Sequence, residues 1–342
     1  MTSVKEYKCP SCGAGLDFDP PSQKWKCNYC FNEYEKDQFD ISDNEELLNE
    51  EMPELDSYIC NSCGAELIAD NTTSATFCIY CKSPAVIKSR FSGRFRPRNV
   101  IPFRLTKEQA KEIYQKWIKK RIFAPKEFKL KEEVDKITGI YAPFWLFDCK
   151  ADGFISGEAT RVHSWRQGNY KYTQTKYYSI LRRGHARYKR IPVDASKKLD
   201  DKYMHMIEPF DYKDLKDFSM KYMSGFMAER YDVESAEAVT ILKDRVKDYL
   251  SERLRGTVSG YSSCSITSKN INISEIEQSY SMLPVYLLVN KYKDKSHIFM
   301  INGQTGKVVG DTPLCLPKQI LFAVAVFLLV WIIGVFGGAL FA

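Results

Sequence analysis

The stretch "CPSCGAGLDFDPPSQKWKCNYC" (residues 9–30) returns fifty-one residues later as "CNSCGAELIADNTTSATFCIYC" (residues 60–81). Each copy holds a Cys-x2-Cys pair, fourteen residues, and a second Cys-x2-Cys pair: Cys9, Cys12, Cys27 and Cys30, then Cys60, Cys63, Cys78 and Cys81. Four thiolates satisfy a tetrahedral zinc ion, and two intervening residues let a tight turn aim both sulfurs at one point. Gly13 and Gly64 follow the second cysteine of their pairs, where such a turn calls for positive φ. A unit this small cannot bury a core that folds alone, so metal is expected to supply most of its folding free energy. A closed set of four cysteines leaves no position for a catalytic water, so two structural zinc ions are expected. One ion per unit is the simplest arrangement, ligand exchange between units being the alternative. A disulfide framework is the competing reading. It needs an oxidising compartment, and the opening "MTSVKEYKCPSC" has no signal-peptide core. Cys149, Cys264 and Cys315 have no cysteine or histidine at ligand spacing and read as small apolar residues.

Charge is segregated along the 342 residues. The chain is +7 overall, yet residues 1–81 hold 5 Lys/Arg against 16 Asp/Glu. The stretch between the cysteine units, "DQFDISDNEELLNEEMPELDS" (37–57), has nine acids and no base, the composition of a solvated spacer. Basic residues cluster after the second unit (Lys88, Arg90, Arg94, Arg96, Arg98 and Arg104) and again in "RRGHARYKR" (Arg182, Arg183, Arg187, Lys189 and Arg190). A charged strand face, an anionic lipid surface or acidic partner, and nucleic acid are the three readings of these clusters. The acidic cysteine units repel phosphate, which places nucleic acid last.

The body reads as mixed α+β. "TKEQAKEIYQKWI" predicts a helix with a Thr106/Gln109 capping box and an apolar stripe at Ala110, Ile113, Tyr114, Trp117 and Ile118. "SAEAVTILKDRVKDYLSERLRG" predicts a second, with Val239, Leu242, Val246, Leu250 and Leu254 on one face and a stop at Gly256. "DYKDLKDFSMKYMSG" reads as a shorter third. "EATRVHSWRQGNYKYTQTKYYSI" predicts a hairpin turning near Gly168 and Asn169. "LPVYLLVNKYKDKSHIFMINGQTGKVVGD" predicts three short strands. "APFWLFD" (142–148) and "LPVYLLV" (283–289) share a proline, an aromatic and a leucine in register, the pattern of two related sheet halves. His163, His185, His205 and His297 are scattered, and no phosphate loop or nucleophile elbow occurs, so an enzyme is not expected.

From Ile320 to Ala342 no residue is charged, and a helix of that length is expected to span the bilayer. Lys307 and Lys318 lie on its N-terminal side, so the expectation is a single-pass tail anchor in the cell membrane, with body and ribbons in the cytoplasm. The organisation then reads 1–36 ribbon 1, 37–57 acidic linker, 58–87 ribbon 2, 88–104 basic linker, 105–312 α+β body and 318–342 transmembrane tail anchor.

Taken together, "CPSCGA", "CNSCGA", "YAPFWLFD", "MSGFMAERYD" and "LPVYLLVNKYKDKSHIFMINGQTGKVVGD" resemble bacterial membrane-anchored proteins with transcription-factor-IIB-type double zinc ribbons. Members of that family are often encoded beside phage-shock-type coat proteins and SPFH-domain proteins. The resemblance implies an adaptor or scaffold that recruits such partners to the cytoplasmic face of the membrane, under membrane stress. A membrane-associated nucleic-acid-binding or transcription-linked protein is the alternative.

Overall fold

Long strands dominate the computed structural model, whose described residues are 4–39, 57–59, 66–68, 73–77, 84–87, 95–199, 201–293 and 295–341. Short strands come first: β1 (Val4–Lys5), β2 (Leu16–Asp19), β3 (Lys24–Cys27), β4 (Glu33–Tyr34), β5 (Ser57–Ile59), β6 (Glu66–Ile68), β7 (Thr73–Phe77), β8 (Pro84–Ile87) and β9 (Asn99–Val100). Then come β10 (Thr138–Gln167, 30 residues) and β11 (Tyr170–Asp194, 25 residues). The short β12 (Lys216–Asp217) and β13 (Met227–Glu229) precede β14 (Ser263–Tyr292, 30 residues), β15 (Lys295–Asn302) and β16 (Val308–Gly310). Strands of 25 to 30 residues far exceed the usual five or six.

The main sheet runs β1-β8-β7-β13-β10-β14-β15-β16, with β11 beside the distal length of β10 and β9 bridging β14 to β12. β10 is antiparallel to both β11 and β14 and briefly parallel to β13. The two echoing segments are side-by-side partners: Ala142 faces Leu283 and Pro143 faces Met282. Their prolines sit at seams. β13 pairs with β10 at Ile140–Tyr141 and β11 takes over from Phe144, so Pro143 lies between them. Likewise β9 ends at Met282 and β15 begins at Val285, leaving Pro284 between them. A residue that cannot donate to a ladder belongs at such a break.

Burial along β10 falls in three zones. From Gly139 to Phe147 every residue is buried. Here Ile140, Ala142, Phe144 and Leu146 enter one core with Leu283, Val285, Met204 and Phe210, while Tyr141, Trp145 and Phe147 enter the other. From Cys149 to Ala159 burial alternates, with Cys149, Ala151, Ile155, Gly157 and Ala159 covered on one face. From Arg161 onward every residue of the strand is exposed. In the middle zone the strands approach closely: a Cβ on Gly157 would lie 2.0 Å from the Ser265 carbonyl oxygen.

Helices decide where the covering stops. α1 (Lys107–Lys119) has the expected capping box, Thr106 Oγ1 accepting from Gln109 N at 3.1 Å and Gln109 Oε1 from Thr106 N at 2.9 Å. It buries Ala110, Tyr114 and Ile118. α2 (Lys131–Val134) and α3 (Asp201–Met206) are short. α4 (Ser235–Gly256) lies over the middle zone with Ala238, Leu242, Val246, Leu250 and Leu254 buried. Val239 is only partly buried, so the stripe is shifted one residue from the expected face at that turn. The expected third helix is instead two 3-10 turns, Tyr212–Asp214 and Met220–Met223, separated by β12. Asp211 and Ser219 side chains bond to the backbone two residues on, which favours turns over helix.

The tail forms α5 (Leu316–Phe341), fastened at its start by Cys315 N donating to the Phe123 carbonyl at 2.9 Å and by a Phe123–Phe322 edge contact. The expected transmembrane tail anchor over 318–342, and the single-pass membrane location built on it, are corrected here. Among the described residues no helix is long and apolar enough to cross a membrane.

Candidate metal centre

The first cysteine unit folds as two matching turns and a three-stranded sheet, β2-β3-β4. At each turn the residue after the second cysteine donates back to the carbonyl of the first: Gly13 N to Cys9 O at 2.9 Å, Phe31 N to Cys27 O at 3.0 Å. Both residues have positive φ, 77° at Gly13 and 60° at Phe31. The glycine was legible in the sequence. Phe31 was not, because a bulky residue rarely takes that conformation without a constraint such as the turn around Cys27–Cys30.

These turns bring Cys9, Cys12, Cys27 and Cys30 together, with all four sulfurs within 4.8 Å of one another. The Cys9–Cys30 and Cys12–Cys27 separations are 3.6 and 3.5 Å. Four sulfurs about 2.3 Å from a central tetrahedral ion stand roughly 3.8 Å apart, so the set fits one metal ion. Backbone amides already point at the sulfur, Tyr29 N at 3.4 Å and Cys30 N at 3.5 Å from Cys27 Sγ, and they favour its thiolate. Burial raises the Cys9 thiol, but hydrogen bonds from Tyr34, the Ser11 and Cys12 backbone and Cys30 outweigh it and leave Cys9 at about 6. At Cys12 the Ala14 backbone bond lowers the thiol, while desolvation and the neighbouring sulfurs push it up to about 12.

The unit is not a free knob. Trp25, buried on β3, donates its Nε1 hydrogen to the Lys221 carbonyl at 2.9 Å. Phe18 N donates to Ser224 O at 3.2 Å, and the Ser224 hydroxyl donates to Leu16 O. Phe18, Trp25 and Tyr222 pack ring to ring at 5.2–5.3 Å. Lys221 is buried, donates to the Lys36 and Phe39 carbonyls at 2.8 Å each, and stands 4.7 Å over the Phe39 ring. Gln23 Nε2 reaches the Phe103 carbonyl at 2.8 Å. The docking side chains lie in "MSGFMAERYD" and just before it, a segment with no metal-ligand signal to reveal them.

Cys60, Cys63, Cys78 and Cys81 lie outside the described residues. The strands that flank them join the body: β7 pairs with β13, and β8 with β1. Most of the acidic linker 37–57 is also outside the described residues, though Phe39 is buried against the ribbon and body.

The basic clusters divide. Arg104 pairs with Asp214, and Arg190 is held by Asp148 Oδ1 at 2.7 Å from its amide and by the Tyr212 carbonyl at 2.8 Å from its guanidinium. Arg98 and Arg190 line a cavity of about 300 Å³ with Asp148 and Glu277, so cations and acids balance there. Lys88, Arg90 and Arg94 lie outside the described residues. Burial raises Glu208 against the opposing pull of Arg245, 3.2 Å away, and His205. That cluster ties α3 and α4 to β11, since Arg245 also donates to the Pro192 carbonyl at 2.6 Å.

No family model matches the chain, and no solved structure matches it. An uncharacterized protein from Bacillus subtilis (strain 168), YdjG, is 35% identical over 346 residues, covering 99% of this chain and 96% of that protein. At that identity over nearly the whole of both chains, the chain belongs to the YdjG family.

Proposed function

We propose that this chain is a non-enzymatic, zinc-stabilised adaptor that docks protein partners, with phage-shock-type coat proteins and SPFH-domain proteins as the first candidates. The observation that supports it is the closed Cys9/Cys12/Cys27/Cys30 set locked onto the body through Trp25 and Lys221. A sulfur-only tetrahedral set suits zinc and leaves no open coordination position, which favours a structural over a catalytic ion. Metal at this site holds β2, β3 and Trp25 in place, and with them the surface formed by ribbon and body together. By the same spacing, Cys60, Cys63, Cys78 and Cys81 hold a second zinc ion.

Metal analysis of reduced, full-length protein tests the chemistry. About two zinc ions per chain are expected, with about one lost in Cys27→Ser and about one in Cys78→Ser. Less than one ion in the unaltered protein overturns the metal assignment. Calorimetry with purified coat-type and SPFH-type partners tests the adaptor role: binding should disappear in Cys27→Ser. Partner binding that is unchanged without metal, or absent from the intact protein, overturns it.

A further inference from the structure

Beyond Ala159 the β10–β11 hairpin leaves the body as a two-stranded arm. β14 accompanies it only as far as Ser263, opposite Thr160. Every residue from 161 to 177 is exposed, on both faces. The turn is tight, Gly168 standing at φ 61° as the first residue of the two-residue loop. From Arg161 to Gln167 the arm extends about 23 Å at roughly 3.3 Å per residue. A bare two-stranded hairpin is marginal in water, so its sequence is shaped by something other than a core.

That sequence is acid-free. Residues 161–177 hold four Lys/Arg and no Asp or Glu. The register pairs Arg161 with Lys176 and Arg166 with Lys171, which are on opposite faces because their positions differ by an odd number. Among the described residues none of these four has an acidic partner. Arg161 is steadied by its Nε donating to Gly260 O at 3.1 Å. Trp165 and Tyr172 are cross-strand partners whose rings stack at 5.6 Å and 16°, and His163 extends the stack, 5.6 Å from Trp165. The first ribbon, residues 1–36, balances five Lys against five Asp/Glu and adds no net charge near the arm. Its Gln23 bonds to Phe103, which packs on Tyr141, about twenty residues back along the strand from Arg161.

We infer that this arm inserts into the major groove of duplex DNA, binding it without sequence preference. A two-stranded β-ribbon fits that groove, about 12 Å wide, and the walls present phosphates to both faces of whatever enters. An acidic protein surface would meet one face and leave the cations of the other unanswered. The deep, narrow major groove of A-form RNA excludes the ribbon, so DNA is preferred. This reading does not rest on the adaptor proposal or on metal occupancy.

The test is fluorescence anisotropy of the full-length, zinc-replete protein with a labelled 24-base-pair DNA duplex. Binding through three phosphate contacts should weaken about 40-fold between 50 and 200 mM salt. Arg166→Gln/Lys171→Gln/Lys176→Gln, all on exposed positions, should weaken binding at least about 10-fold at 50 mM salt. Lys116→Gln/Lys119→Gln/Lys120→Gln at α1, exposed positions with the same charge loss, should leave it unchanged. No DNA binding at 50 mM salt overturns the inference, as does full binding by the triple variant. Duplex RNA bound as tightly as DNA removes the groove argument. Displacement of DNA by charge-matched polyglutamate at equal concentration reassigns the arm to an acidic protein partner.

Discussion

The two ends of β10 are one strand with opposite fates. Between Gly139 and Phe147 both faces are buried, while between Arg161 and Gln167 both are exposed. One partner is common to both, since β11 runs beside β10 from Phe144 to Gln167, while β14 pairs with the base and stops at Thr160. Coverage of the two faces differs more. α1, α3 and the docked ribbon close the base, α4 covers one face of the middle, and no described element covers the arm. Hydrogen-bonded ladders therefore carry the arm outward, and hydrophobic burial holds the end from which it grows. Free energy concentrated at the base lets the distal sequence be chosen for binding.

The sharpest way to break this comparison is to empty the base. Phe103 is fully buried, stacked on Phe226 at 4.1 Å and edge-on to Tyr141 and Tyr286. Phe103→Ala should cost about 3–5 kcal/mol in chemical denaturation. Val162→Ala on the arm should cost less than about 0.5 kcal/mol. Equal costs would mean that the arm is part of the core. In the middle zone, Gly157→Ala forces a Cβ against the Ser265 carbonyl and should cost about 1–3 kcal/mol by the same measurement. A neutral result would show that the β10–β14 contact gives way there.

Smaller effects belong to the elements that close the base. Thr106→Ala removes the side-chain half of the α1 capping box and should cost about 1 kcal/mol, read as a lower melting temperature. The smallest expected effect is a pH dependence. Hydrogen bonds from Lys202 and Tyr203 hold the exposed Asp311 carboxyl below its usual value. Its contribution is therefore present above the unfolded value near 4 and lost as pH falls through the lower folded value. Comparing Asp311→Asn with the unaltered protein from pH 7 to 2 should show a gap that closes on the acid side. A gap that widens on acidification would reverse the sign.

Much of this was legible locally. The Cys9–Cys30 spacing, the Thr106/Gln109 box, the Leu242–Leu254 line and the Gly168–Asn169 turn are short-range patterns, each set by the geometry of a few neighbouring residues. "GIYAPFWLF" (139–147) is a continuous apolar run and "CKADGFISGEA" (149–159) alternates, which already separates a strand buried on both faces from one buried on one. The segment 211–224 misled because its apolar spacing suits a helix while Asp211 and Ser219 bond locally as turns.

By itself, then, the sequence determined the Cys9/Cys12/Cys27/Cys30 cluster, the ends of α1 and α4, the hairpin turn and the mixed α+β class. Only the tertiary structure decided that "APFWLFD" and "LPVYLLV" are neighbours, that the ribbon is clamped by Trp25 and Lys221, and that the arm stands bare. The physical reason is range. Caps, turns and ligand spacings depend on residues within a few positions of one another, whereas burial depends on which distant element comes to cover a face. Nothing in residues 161–177 records that α4 ends at Gly256 before reaching them.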